Sequence, residues 1–141
     1  MGPWNYRGAE VRTYEFPWPP SVNHYWMHIR GRAFIGKKGR MYRSEVAKQI
    51  LIQGRHRFTG NLKVTVKMYP PDKRRRDIDN PMKCLLDSMQ HGGLFEDDNQ
   101  IKKLNLEMMT EKGGFVEVSI ERIYDKKTDD GKISELNKWS I

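Results

Sequence analysis

Hydrophobic positions along the chain change period several times, and each change marks an element. Val11, Tyr14 and Phe16 alternate with Arg12, Thr13 and Glu15, an imperfect strand signal that Pro17-Trp18-Pro19-Pro20 stops, because proline offers no ladder donor. From Met41 to Gly54 the spacing turns helical: Tyr42, Val46 and Ile50, with Ala47 and Leu51, share one predicted apolar face, and Gly54 is a natural stop. Leu62, Val64, Val66 and Met68 alternate cleanly with Lys63, Thr65 and Lys67, the strongest strand signal in the chain, ended by Pro70-Pro71. Asn80-Pro81 reads as a cap followed by proline at the first helical position, and Met82, Leu85, Leu86 and Met89 form one stripe before Gly92-Gly93. Ile101, Leu104, Leu106 and Met108 predict a third strand and residues 115 to 124 a fourth, with Gly113-Gly114 as the turn of a hairpin between them.

The order strand-helix-strand-helix-strand-strand predicts an α+β fold, one mixed β-sheet with two helices packed on it. The 141 residues suit one domain, expected over residues 11 to 124, after a loose lead-in at 1 to 10 and before a charged tail at 125 to 141. Ser21 to Trp26 has no helical spacing and reads as loop or short strand. His24 and His28 stand four residues apart, but the nearby prolines and Gly31 argue against a helix that would aim both at a metal, so they read as surface residues.

Charge adds a partner to this outline. Twenty-six Lys and Arg against 18 Asp and Glu give a net charge of +8, which favours a polyanion, since basic side chains release counterions on meeting phosphates. The mean hydropathy of −0.83 is low, yet aromatic and aliphatic residues recur throughout, so the chain is polar without being disordered. A single cysteine, Cys84, rules out an internal disulfide framework and a Cys-rich zinc site. With no leader-like start and no apolar run of membrane-spanning length, the expectation is a soluble cytoplasmic protein without a membrane partner.

The chemistry concentrates between Lys73 and Lys103. Lys73, Arg74, Arg75 and Arg76 run directly into Asp77 and Asp79, and Glu96-Asp97-Asp98 follows the second helix. Cations ask for phosphate and clustered carboxylates ask for a hard metal ion; a phosphodiester carrying Mg²⁺ satisfies both. Acidic residues ahead of a helix also complement its dipole, worth about 0.3–1 kcal/mol. Asn80 is expected to fill the cap already, however. If Asp98 folds back beside Asp77 and Asp79, each pair of carboxylates at about 4 Å repels by roughly 4 kcal/mol at an effective dielectric near 20, which a divalent cation offsets and capping does not. Lys83 and Asp87 lie four apart on the second helix, and on spacing alone they read as a surface ion pair rather than as catalytic groups. Arg32, Lys37 and Lys38, in a glycine-punctuated basic segment from Arg30 to Arg40, read equally as a solvated connection or as an arm gripping phosphate, with Phe34 or Tyr25 near bases. An EF-hand fails because DIDNPMK lacks the sixth-position glycine, and a phosphoaspartate phosphatase fails because a basic run separates the carboxylates from the preceding strand.

Three segments, FPWPPSVNHYW, RRRDIDNPMKCLLDSM and GLFEDDNQI, resemble the RusA family of phage and prophage Holliday junction resolvases, over roughly residues 14 to 124. The family's essential acidic positions match Asp77, Asp79 and Asp98, and its essential basic position matches Lys83, which reverses the reading of Lys83 from spacing. Asp97 and Asp87 also match acidic positions, Asp97 as a further candidate metal ligand, and Phe95 falls where the family often has an aromatic residue. The resemblance implies a homodimeric endodeoxyribonuclease, in a bacterial or phage-infected cell, that resolves four-way DNA junctions by paired nicking in recombination and repair. It implies Mg²⁺, with Mn²⁺ as a substitute, and cuts leaving 5′-phosphate and 3′-hydroxyl ends. The competing readings are a DNA-binding protein without catalysis and a metal-dependent nuclease for flaps or other branched DNA.

Overall fold

A computed structural model describes residues 2–6 and 10–127. The clean alternation at 61–69 becomes β5 (Asn61–Tyr69), in which Leu62, Val64, Val66 and Met68 are fully buried. Period-2 burial on one face requires a cover, and two helices supply it. Tyr42, Val46 and Ile50 of α2 (Lys37–Gln53) and Met82, Leu85 and Met89 of α3 (Met82–His91) join the β5 residues in one core. The other strands of this core are β2 (Val11–Pro17), giving Tyr14 and Phe16, and β7 (Phe115–Asp125), giving Val116, Val118 and Ile120. A four-residue helix α1 (Val22–Tyr25) and a separate antiparallel pair, β3 (Trp26–Ile29) with β4 (Arg32–Ile35), fill the interval between β2 and α2.

The mixed sheet and its packed helices agree with the predicted class, but the strand neighbours do not. β6 (Ile101–Met108) pairs parallel with β5, whereas β7 pairs antiparallel with β5 on its other side. No β6–β7 hairpin exists in this sheet. Helix α3 carries the chain back from the end of β5 to the start of β6, a crossover that makes the two strands parallel. Segment 109–114 then passes over the end of β5, with amide hydrogen bonds from Met109 to Met68 (2.8 Å), Gly113 to Pro70 (3.0 Å) and Gly114 to Tyr69 (2.8 Å). A Cβ on Gly113 would lie 2.3 Å from the Phe115 ring, so the glycine marks close approach rather than a two-strand turn.

Other boundaries moved for local reasons. Within the expected lead-in, β1 (Trp4–Asn5) pairs with Asp125 and Tyr124 of β7. Of the expected tail, Asp125 completes β7, and residues 128–141 lie outside the described residues. Ser21–Trp26 holds α1 in place of the expected loop, its amides at His24 and Tyr25 bonded to the Ser21 carbonyl at 2.9 Å. The basic segment divides. Arg30 and Gly31, at φ 51° and 74°, make the two-residue turn joining β3 to β4, while Lys37–Arg40 form the first turn of α2. Leu51 is 65% exposed, so the covered stripe of α2 is narrower than predicted. Asn80 does not cap α3: its side-chain oxygen accepts the Val22 amide at 3.2 Å, tying α1 to the loop ahead of α3. Among the described residues no helix is long and apolar enough to cross a membrane.

Candidate functional site

Asp72 organises the predicted basic run. Its carboxylate pairs with Arg76 at 2.8 Å and Arg74 at 3.1 Å and accepts the Arg74 amide at 2.9 Å. Arg76 and then Arg74 hold this carboxyl below the usual range. Arg76 also donates to the carbonyls of Asp72 (3.3 Å) and Arg74 (3.2 Å), and its guanidinium lies 5.5 Å from the Trp18 ring centroid. Four like charges thus separate into two kinds. Arg74 and Arg76 shape the loop, whereas Lys73 and Arg75 are exposed, with no ion pair among the described residues.

The loop continues into Asp77 and Asp79. Both are exposed, and neither carboxylate has a hydrogen bond or ion pair among the described residues. Asp77 lines a cleft with Trp18, Ser21, His24 and Arg75. The Asp79 carbonyl accepts the Met82 amide at 3.0 Å and so opens α3. Lys83 follows in the first turn, exposed. The Lys83–Asp87 ion pair suggested by spacing is not formed; Asp87 pairs with Arg43 instead, at 2.6 Å.

Asp98 lies at the other end of the same helix. It begins a 3-10 turn, Asp98–Gln100, and its amide donates to the Gln90 side chain in the last turn of α3 at 3.2 Å. The ten residues of α3 span about 15 Å between these two places. Gln100 clamps the turn: its carbonyl oxygen accepts the amides of Glu96 and Asp97 (both 3.0 Å), and its amide donates to the Phe58 (3.2 Å) and Gly60 (2.9 Å) carbonyls. The Asp97 side chain caps the turn through the Asn99 amide at 2.9 Å. Replacing Gln100 by alanine strands these groups and is expected to cost about 2 kcal/mol in urea unfolding, with faster amide exchange at residues 97–99.

Two exposed carboxylates without partners, Asp77 and Asp79, suit a hard cation by donor chemistry. The third does not join them in one chain, and among the described residues no three His, Cys, Asp or Glu side chains are grouped to hold a metal. Of the remaining predicted DNA contacts, Arg32 stands exposed on β4 and Lys37 and Lys38 stand exposed in the first turn of α2. Phe34 is half-exposed beside Met27, its cross-strand partner. Tyr25 is fully buried and unavailable to a base.

Tyr25 belongs instead to a network that the sequence did not disclose. Its phenol donates to Asp87, Arg43 reaches both the phenol oxygen (2.9 Å) and Asp87, and Ser88 stands 3.5 Å from the phenol. Burial raises the phenol's pKa, and the hydrogen bond to Asp87 adds to this. The one detectable signal was Ser88, a polar residue inside the buried stripe of α3, which calls for a buried partner. Cys84 offers no nucleophile: burial pushes its thiol up to about 12.

The family model described as Endodeoxyribonuclease RusA matches residues 17–121. A crossover junction endodeoxyribonuclease of Enterobacteria phage 82 is 38% identical over 116 residues, 78% of this chain and 95% of the relative. The enzyme of that name from Escherichia coli strain K12 is 36% identical over the same shares. That of Enterobacteria phage HK97 is 41% identical over 99 residues, 68% of this chain and 82% of the relative.

Proposed function

The chain belongs to the RusA endodeoxyribonuclease family, and on that premise we propose that it resolves four-way DNA junctions by nicking opposed strands as a homodimer. The observation that carries this reading is the exposed pair Asp77 and Asp79, unengaged by protein, directly beside the unengaged cations Lys73 and Arg75. In the proposal Asp77, Asp79 and Asp98 are the carboxylates that hold Mg²⁺. Such an ion supplies Lewis acidity toward a phosphoryl oxygen and lowers the pKa of bound water.

The chain's own side chains do the rest. Lys83, one turn into α3, presents its ammonium to the charge that develops on the scissile phosphate. Lys73 and Arg75 hold flanking phosphates, and Arg32, Lys37 and Lys38 extend the basic surface on the hairpin and α2. Asp97, engaged with Asn99, orients the turn that carries Asp98.

The division of the basic run gives a prediction. Arg75→Ala should weaken binding to all DNA and reduce the salt slope by about 1. Arg76→Ala should instead lower thermal stability, since Arg76 pairs with Asp72 and covers Trp18. Fluorescence anisotropy from low to high salt checks the first, and a thermal melt checks the second.

The deciding experiment incubates an end-labelled four-way junction, a flap and a linear duplex with wild type and Asp98→Asn, with and without Mg²⁺. Symmetric nicks in the junction alone, dependent on Mg²⁺ and lost in the variant, support the proposal. Preferential flap cutting selects the flap nuclease, and binding without any cut selects a non-catalytic binder.

A further inference from the structure

The separation of Asp98 from Asp77 and Asp79 within one chain is resolved by the sheet itself. β6 closes one side of the sheet, and its outer edge has no partner among the described residues. Eight residues of open strand make a template for pairing with another strand. The side chains on this edge are self-complementary.

On the face away from the core, two cross-strand rows end at β6. One runs Glu121, Lys63, Lys103 and the other Glu117, Lys67, Glu107. The first ends with two adjacent cations at the edge and the second with an anion. Lys63 and Lys103 share the Tyr6 ring, at 5.1 and 5.7 Å, yet their ammonium groups stand side by side without a carboxylate on the β6 side. On the core face, Leu104 is 38% exposed where the strand ends the sheet.

We infer that two copies of this chain pair antiparallel through β6, about a two-fold axis at Asn105, so that each protomer's Asp98 is delivered to the end of its partner's sheet that carries Asp77 and Asp79. This register faces Lys103 with the partner's Glu107 and Leu104 with the partner's Leu106. Each row that ends in positive charge then meets one that ends in negative charge. Centring the axis at Lys103 or at Glu107 puts like charges face to face, and odd shifts put core side chains on the solvent face. Beyond the strand, Asp98 comes level with the partner's Lys112, each seven residues from Asn105. Lys112 lines a cleft with Pro70, Lys73 and Arg74, at the start of the loop leading to Asp77. The acidic Glu96-Asp97-Asp98 run of one protomer therefore meets a basic cleft of the other.

The dimer belongs to the proposed function; its surface, and a carboxylate set shared between protomers, go beyond that reading. The test begins with sedimentation equilibrium on wild type. Asn105→Cys should then form a covalent dimer on mild oxidation, because directly opposed strand residues have Cα atoms about 4.5–5.5 Å apart, within disulfide reach. Cys84 is buried and does not compete. Lys103→Glu should weaken dimerisation at least tenfold, and adding Glu107→Lys should restore it to within threefold. Asp79→Asn and Asp98→Asn proteins, each lacking a tight Mn²⁺ site, should regain one site per mixed dimer after subunit exchange, and regain junction nicking with it. A monomeric wild type overturns the dimer reading and this inference together. A dimer that neither cross-links at Asn105→Cys nor responds to Lys103→Glu overturns the β6 surface alone. Mixed dimers without recovered Mn²⁺ binding overturn the shared site.

Discussion

Asp79→Asn is expected to bind a four-way junction at least as tightly as wild type while cutting it 100- to 1,000-fold more slowly, on the order of the loss when one preorganised electrostatic group leaves an active site. The argument rests on what Asp79 does not do. Its carboxylate is exposed and joins no hydrogen bond or ion pair among the described residues, so folding does not depend on its charge. Substitutions of that kind usually change stability by less than about 0.5 kcal/mol. Removing a negative charge beside Lys73 and Arg75 also strengthens the local attraction for phosphate. Single-turnover cleavage, anisotropy and a thermal melt on one preparation separate the three effects. Unchanged nicking would remove Asp79 from the site.

Asp87→Ala is expected to produce the opposite pattern. Asp87 accepts from Arg43 and from the fully buried Tyr25, so alanine leaves a part-buried guanidinium and a buried phenol without their acceptor. Breaking a fully buried ion pair costs about 3–5 kcal/mol; with the Arg43 and Asp87 side chains 23% and 30% exposed, about 2–3 kcal/mol is the better expectation. For a domain of this size that lowers Tm by roughly 10 °C. Asp87→Asn keeps an acceptor and should lose less. A ligand role for Asp87 would reverse the result: Mn²⁺ affinity would fall while Tm held.

These two residues also show what a sequence discloses. Asp77 and Asp79 were legible because their chemistry is local: two carboxylates directly after a cationic run and before a helix. β5 was legible because a half-buried strand writes its burial as strict alternation, and α3 because its stripe recurs at helical spacing. The Tyr25–Arg43–Asp87 network joins residues 18, 44 and 62 apart, and no local period encodes such a contact. Strand neighbours were obscured in the same way. Gly113-Gly114 signals a tight path, but only the crossover through α3 decides that β5 stands between β6 and β7. The position of Asp98 depended on that same crossover, which places it by the last turn of α3 rather than the first. Asn80 shows a further limit, since a residue type suited to capping found a tertiary partner in Val22.

The place of β7 in the sheet bears on how the protein is made. β7 pairs with β1, β2 and β5, joining strands that otherwise have no common neighbour. During synthesis β1 and β2 emerge first, yet the strand that completes their pairing begins only at Phe115. A nascent chain stopped short of that residue holds Tyr14 and Phe16 without their sheet partners and leaves one whole edge of β5 open. The loop bearing Asp77 and Asp79 therefore leaves the ribosome before the sheet beneath it can close. Early chain termination yields aggregation-prone fragments rather than a partly competent nuclease.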